Sequence, residues 1–222
     1  MNKGTLKQAL DVRYSELAEQ SCCLSCGDAV GYAAVKPGEV CVDLGSGRGQ
    51  DVLKMAEAAG RGGMAYGIDI SAGMLKHARE TAAEREIVNA VFMESELESL
   101  PLASASVDVV ISNCTINHAR DKRQVYREIA RILRPAGRIV ISDIYALDEI
   151  PPEYAADPAA VAECWAGAVL RDEYFEILAG AGFKTLTIYK ESEPYTKGKA
   201  RVVSITFMAE KESKEVSYEN FG

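Results

Sequence analysis

Val40-Cys41-Val42-Asp43-Leu44-Gly45-Ser46-Gly47-Arg48-Gly49 is the stretch that decides the fold. Five residues of strand character run into a loop with glycine at every second position. Residues 50–59 (QDVLKMAEAA) then carry a helical pattern. Glycines let the backbone turn sharply and let a ligand approach with no Cβ in the way. The helix behind them starts with N–H groups that have no partner inside the helix.

The same alternation continues outward. Gly63 to Ile68 reads as a second strand ending at Asp69. Ser71 caps a helix over 72–84, and strands follow at 90–93 and 107–112. A helix over 121–133 is stopped by Arg134-Pro135, and a fifth strand covers 138–142. Apolar strands separated by helices specify a parallel sheet covered on both faces. Upstream, residues 5–20 read as a leading helix. Residues 21–38 form a cysteine- and glycine-containing connection closed by Lys36-Pro37-Gly38. Downstream come a proline-containing insertion at 148–158, a short helix around 161–169 and another at 171–180. Two β-rich runs, 183–189 and 201–208, are joined by a link short enough for an antiparallel pair. Residues 209–222 are charged and read as frayed. The expected division is a cap segment at 1–38, a catalytic domain at 39–210 and a tail at 211–222.

The chain has 222 residues, 48% of them hydrophobic, which suits one soluble globular domain. Lys+Arg number 25 against 33 Asp+Glu, a net charge of −8. An acidic balance argues against nucleic acid or an anionic membrane as partner. No apolar run approaches the ~20 residues of a membrane span, and Met1 to Leu10 lacks the apolar core of a secretory signal. A reducing cytoplasm is expected. There, six cysteines (Cys22, Cys23, Cys26, Cys41, Cys114, Cys164) point to reactive, ligating or buried thiols rather than disulfides.

Asp69 ends the second strand 20 residues beyond Gly49. A carboxylate there can accept both hydroxyls of a ribose, so loop and acid together indicate a nucleoside cofactor. The third glycine falls one place too early for a dinucleotide fingerprint, and Gln50 occupies the place of its last glycine. Asp43 would put a negative charge near a pyrophosphate but suits a cationic ligand. On these residues the chain resembles the class I S-adenosylmethionine (SAM)-dependent methyltransferases, with their D/E-x-G-x-G-x-G loop. The resemblance implies a Rossmann-like α/β fold. Its seven-stranded, mostly parallel sheet has an antiparallel last strand and helices on both faces. It implies SAM contacts from Asp43, Gly45, Ser46, Gly47, Gly49 and Asp69. It also places Ile70 and Met74 beside ribose and adenine, Glu96 and Leu97 at the adenine, and Asn113 near the methionine end.

Cys114 follows the fourth strand and Cys164 lies in the insertion after the fifth, both at the sheet edge where ligands bind in open α/β folds. Cys26 precedes the first strand. Three thiols from separate loops suit a soft, thiophilic centre. Several segments resemble the arsenite methyltransferases: Ser25-Cys26-Gly27, Val35-Lys36-Pro37-Gly38, Asn113-Cys114-Thr115-Ile116-Asn117, Ser142-Asp143 with Glu149-Ile150-Pro151, and Cys164-Trp165-Ala166-Gly167-Ala168. That resemblance assigns Cys26, Cys114 and Cys164 to As(III), with arsenite as the substrate and a thiol reductant as partner. The chain departs from the family at Asp28-Ala29, at the crowded Cys22-Cys23, and at His118, where an apolar residue is usual. Two other functions fit the motifs: methylation of a small organic molecule, with His118 as base candidate, or metalloid and SAM binding without turnover. Cys41, inside a strand, reads as a core residue. His77 reads as a solvated surface residue, and Trp165 as a pocket wall or a packing residue. Cys23-Leu24-Ser25-Cys26 lacks the second pair that a structural zinc site needs.

Overall fold

The computed structural model describes residues 3–18 and 27–212. Its sheet contains β1 (Val40–Leu44), β2 (Met64–Asp69), β3 (Ala90–Glu94), β4 (Val107–Asn113), β5 (Leu133–Ala146), β6 (Leu186–Glu191), β7 (Tyr195–Lys197) and β8 (Ala200–Glu210). The strand order is β3-β2-β1-β4-β5-β8-β6, with β7 paired to β8. All pairings among β1 to β5 are parallel, and β8 runs antiparallel to β5, β6 and β7. The expected seven-stranded Rossmann-like sheet is therefore present, with a short eighth strand in the link before β8.

The helices are α1 (Lys3–Ala18), α2 (Ala29–Ala33), α3 (Gln50–Ala59), α4 (Ala72–Glu84), α5 (Lys122–Ile132), α6 (Pro152–Ala155), α7 (Pro158–Ala162) and α8 (Arg171–Gly180). Alternate residues of β1 supply opposite faces, as strand geometry requires. Cys41 joins α2, α3 and α4 in one core cluster, whereas Val42 and Leu44 join α5 and α8 in the other. Ser71 Oγ accepts from the Met74 N–H at 3.3 Å, so the expected cap opens α4. Asp121 caps α5 in the same way, accepting from the Gln124 N–H at 2.9 Å.

Three expectations need correction. The fifth strand runs from Leu133 to Ala146 rather than over 138–142: Leu133 pairs with Val107 of β4, so the Arg134-Pro135 stop lies inside the strand, and residues through Ala146 pair with β8. The helix expected at 161–169 is two pieces, α7 and a 3₁₀ turn at Trp165–Gly167, broken where Cys164 takes φ +74°. Residues 209–212 are not frayed: β8 runs to Glu210, and the N–H groups of Lys211 and Glu212 donate to the Gly137 and Gly182 carbonyls. Residues 213–222, with the rest of the expected tail, lie outside the described residues, as do Cys22, Cys23 and Cys26. Among the described residues no helix is long and apolar enough to cross a membrane.

Residues 27–39 are tied to β5 by one ion pair. Arg138 meets Glu39 at 2.7 Å and also donates to the Ala33 and Ala34 carbonyls. Burial pushes the Glu39 carboxyl up, but hydrogen bonds from Arg138 and from the Lys36 N–H outweigh it and hold the group below its ordinary value. A carboxyl depressed on folding contributes stability above its unfolded pKa and loses it as pH falls through the folded pKa. Glu39→Gln is therefore expected to cost about 1 to 2 kcal/mol at neutral pH. In urea unfolding the difference between the two proteins should shrink as pH falls through the depressed folded pKa of Glu39.

Candidate active site

The β1 and β4 strands lie side by side, and the chain leaves them in opposite directions across the sheet. This is the switch point at which open α/β sheets bind ligands, beyond the carboxyl ends of the strands. A cavity of about 540 Å³ opens there, within the range of small-ligand sites. Of the residues singled out from the sequence, Gly45, Gly47, Asp69, Ile70, Met74, Glu96, Leu97, Asn113, Cys114 and Cys164 all line it.

Asp69 organises the nucleoside side. One carboxylate oxygen accepts from the Gly47 N–H at 2.8 Å and the other from the Ser71 N–H at 2.8 Å. The glycine loop and the start of α4 are thereby fixed to the end of β2. The Ile70 N–H is a third backbone donor to this carboxylate, whose four lone-pair sites still leave acceptor capacity for a ligand hydroxyl. Burial pushes this carboxyl up, and the backbone donors oppose the shift. Two glycines are required for different reasons. A side chain at Gly45 would run into Thr115, whereas Gly47, at φ +50°, has open space where a side chain would stand. The first permits loop packing, and the second keeps the cavity clear.

Asp43, Ser46 and Gly49 sit beneath the loop rather than in the cavity wall. Asp43 is buried, and burial, with the charges of Asp51 and Asp69, pushes its carboxyl well up. Ser46 Oγ faces Gly67 and has no hydrogen-bond partner among the described residues. Gly49 lets α3 pack on Phe92 and Ala78. Asn113 donates to Asp51 at 3.1 Å and accepts from the Ala29 N–H at 3.4 Å, which sets its side chain at the cavity edge.

The two downstream cysteines meet. Cys114 directly follows β4 at φ +53°, and its N–H donates to the Ser142 carbonyl at 2.8 Å. The Cys164 thiol donates to the Cys114 carbonyl at 2.9 Å. Its sulfur also lies 2.9 Å from His118 Nε2. Both cysteines hold backbone conformations that non-glycine residues seldom adopt, a cost of about 1–3 kcal/mol each. Their loops are locked by Asn117, whose amide donates to Asp143 and to the Ile144 carbonyl, each at 2.8 Å. Gly167 packs directly on the Asn117 carbonyl, leaving no room there for a side chain.

Other residues fall as their surroundings dictate. Cys41 is fully buried in the core, and burial pushes its thiol up to about 12. His77 is solvated beside Glu80. Trp165 packs on Tyr154 and under Gly198, outside the cavity lining. Sequence reasoning missed the contribution of α1, whose Leu6, Leu10 and Tyr14 all face the cavity. Their spacing of four residues puts them on one helix face, a signal present in the sequence but sparse among polar neighbours.

The family model described as a methyltransferase domain matches residues 35–205. An arsenite methyltransferase of Halobacterium salinarum is 39% identical over 170 residues, which are 77% of this chain and 44% of that protein. The arsenite methyltransferase of Homo sapiens is 31% identical over 190 residues, 78% of this chain and 51% of that protein. The chain thus spans about half the length of these relatives. A crystal structure of an arsenic(III) S-adenosylmethionine methyltransferase from Chlamydomonas reinhardtii superposes with a TM-score of 0.75 at 28% identity, covering 95% of this chain and 74% of that one. With three-quarters of its length matched by the family model, the chain belongs to the methyltransferase domain family.

Proposed function

We propose that the chain transfers a methyl group from SAM to trivalent arsenic bound as thiolates, with arsenite as the starting substrate. The observation that carries this is the meeting of Cys114 and Cys164 in the same cavity as Gly47 and Asp69. The activity named for the relatives and for the Chlamydomonas structure supports the same reading.

The residues present fit SAM. The open space at Gly47 admits a ligand against the backbone, and Asp69, in the cavity lining, retains acceptor capacity for the ribose. Ile70 and Met74 supply apolar surface beside ribose and adenine, Glu96 and Leu97 hold the adenine, and Asn113 approaches the methionine end. Asp43, below the loop, supports it from the core. When bound, SAM supplies a methyl group activated on a sulfonium.

On the acceptor side, Cys114 and Cys164 hold As(III), and Cys26, next to Gly27 in sequence, is the third thiolate. Sulfur ligands select soft centres. Arsenic keeps a lone pair when bound to three thiolates, and that pair attacks the methyl carbon. Transfer is an in-line displacement, so the task of the chain is to hold the reacting atoms ~3–3.5 Å apart. No protein base is consumed. A thiol reductant keeps the cysteines competent, which agrees with a cytoplasmic setting.

Cys114→Ser and Cys164→Ser are each expected to lower methylated-arsenic formation by about 100-fold or more. SAM affinity, measured by calorimetry, should stay unchanged in both. Wild-type rates from either variant would reject thiolate-held arsenic as the acceptor.

Asp69→Asn should act on the other half of the site. Losing charged acceptors for two hydroxyls is expected to weaken SAM binding about 10- to 100-fold. Arsenical binding should be preserved, and a variant that binds SAM as tightly as wild type would remove Asp69 from the cofactor site.

A further inference from the structure

His118 is buried beside Cys164, yet the chemistry above gives it nothing to do. It closes the 3₁₀ turn Ile116–His118, four residues after Cys114, so its ring comes from the loop opposite the thiol it touches. Its Nε2 lies 2.9 Å from Cys164 Sγ and 3.3 Å from the Tyr14 hydroxyl of α1. The Tyr14 ring stands edge-on to the imidazole at 5.6 Å. A further hydrogen bond joins the imidazole to the backbone of Ala162. A neutral imidazole that donates one N–H to a carbonyl presents its other nitrogen as an acceptor.

Resting on arsenic as the bound substrate, we propose that His118 is a positioning residue of the metalloid pocket, holding the Cys164 sulfur over the Cys114 loop through Nε2. The need for such a residue is visible in the backbone. Cys164 sits at φ +74° and ψ −41°, between two short helical pieces that do not by themselves fix its side chain. Among the described residues two acceptors share the single Cys164 S–H: the Cys114 carbonyl, which belongs to the partner cysteine, and His118 Nε2. Tyr14 packs against that ring from α1 and shares the same nitrogen. The ring therefore pre-arranges two thiols to meet one arsenic centre, lowering the ordering cost of capture.

Phenylarsine oxide tests the arrangement directly. On binding, two S–As bonds form, the arsenic oxygen leaves as water with both thiol protons, and arsenic stays trivalent. Trp165, the single tryptophan of the chain, adjoins Cys164 and reports uptake by its fluorescence, with Cys164→Ser as the blank. Full-length His118→Leu, which fills the site without an acceptor, is expected to weaken uptake about tenfold. His118→Gln, whose side-chain oxygen can reach the Nε2 position, should restore most of it. His118→Asn, which is too short, should behave like His118→Leu and serves if the leucine variant fails to fold. In methyl transfer, the half-saturating arsenite concentration should rise with these losses while that of SAM stays fixed.

Wild-type uptake by His118→Leu and His118→Asn would overturn the assignment. So would a glutamine variant as impaired as the other two, since that pattern marks packing. Wild-type protein that takes up phenylarsine oxide yet forms no methylated arsenic would overturn the proposed function, leaving His118 to be judged on the uptake series. Wild-type protein that does neither would overturn both.

Discussion

A single carboxylate joins the parts on which the cofactor side of the structure depends. Asp69 ends β2, takes the Gly47 N–H with one oxygen and the Ser71 N–H with the other, and so fixes a loop, a strand and a helix start to one another. Charge-assisted bonds to backbone donors are short and strong. They add to the bonds that the Gly45 N–H makes to the Ile68 carbonyl and the Gly49 N–H to the Ser46 carbonyl in holding three glycines at positive φ. Gly45, packed against Thr115, passes that order to the loop after β4.

The acceptor side is ordered in a different way. Cys114 and Cys164 both occupy unfavourable backbone regions, and nothing in either loop alone would keep them there. The surrounding structure does so through Asn117, which reaches from one loop to β5, while Gly167 of the other loop packs on its carbonyl. Strain that persists because neighbours over-determine it is common where a site must be ready before its ligand arrives. Beneath this, the hydroxyls of Tyr126 and Tyr174 pair at 2.8 Å and keep α5 and α8 in register on the sheet.

Much of this was legible in the residues. The limits of β1, α3, α4 and α8 follow from apolar periodicity, the Ser71 cap and the glycine turns, which are local signals. The cavity-lining positions followed from strand ends, since in a parallel sheet the carboxyl ends gather on one side. What escaped was set by tertiary contact. The length of β5 depends on β8, some 60 residues further on, and no local pattern announces that pairing. The break at Cys164 required a positive φ at a non-glycine residue, which propensity argues against. Ser46 and Gly49 belonged to the right motif yet pack inward, Ser46 against Gly67 and Gly49 against Phe92 and Ala78. The α1 stripe of Leu6, Leu10 and Tyr14 was present but diluted by charge.

Cys41 gives the molecule a property of a different kind. Burial pushes its thiol up to about 12, so at neutral pH the residue stays in the unreactive thiol form. The residue lies within β1, immediately ahead of the motif that shapes the cavity, and its side chain has no exposed surface. A thiol-seeking compound at the cavity therefore has no route to this sulfur without unfolding the sheet. Labelling of Cys41, as distinct from labelling of the cavity thiols Cys114 and Cys164, is therefore a measure of how often the sheet opens.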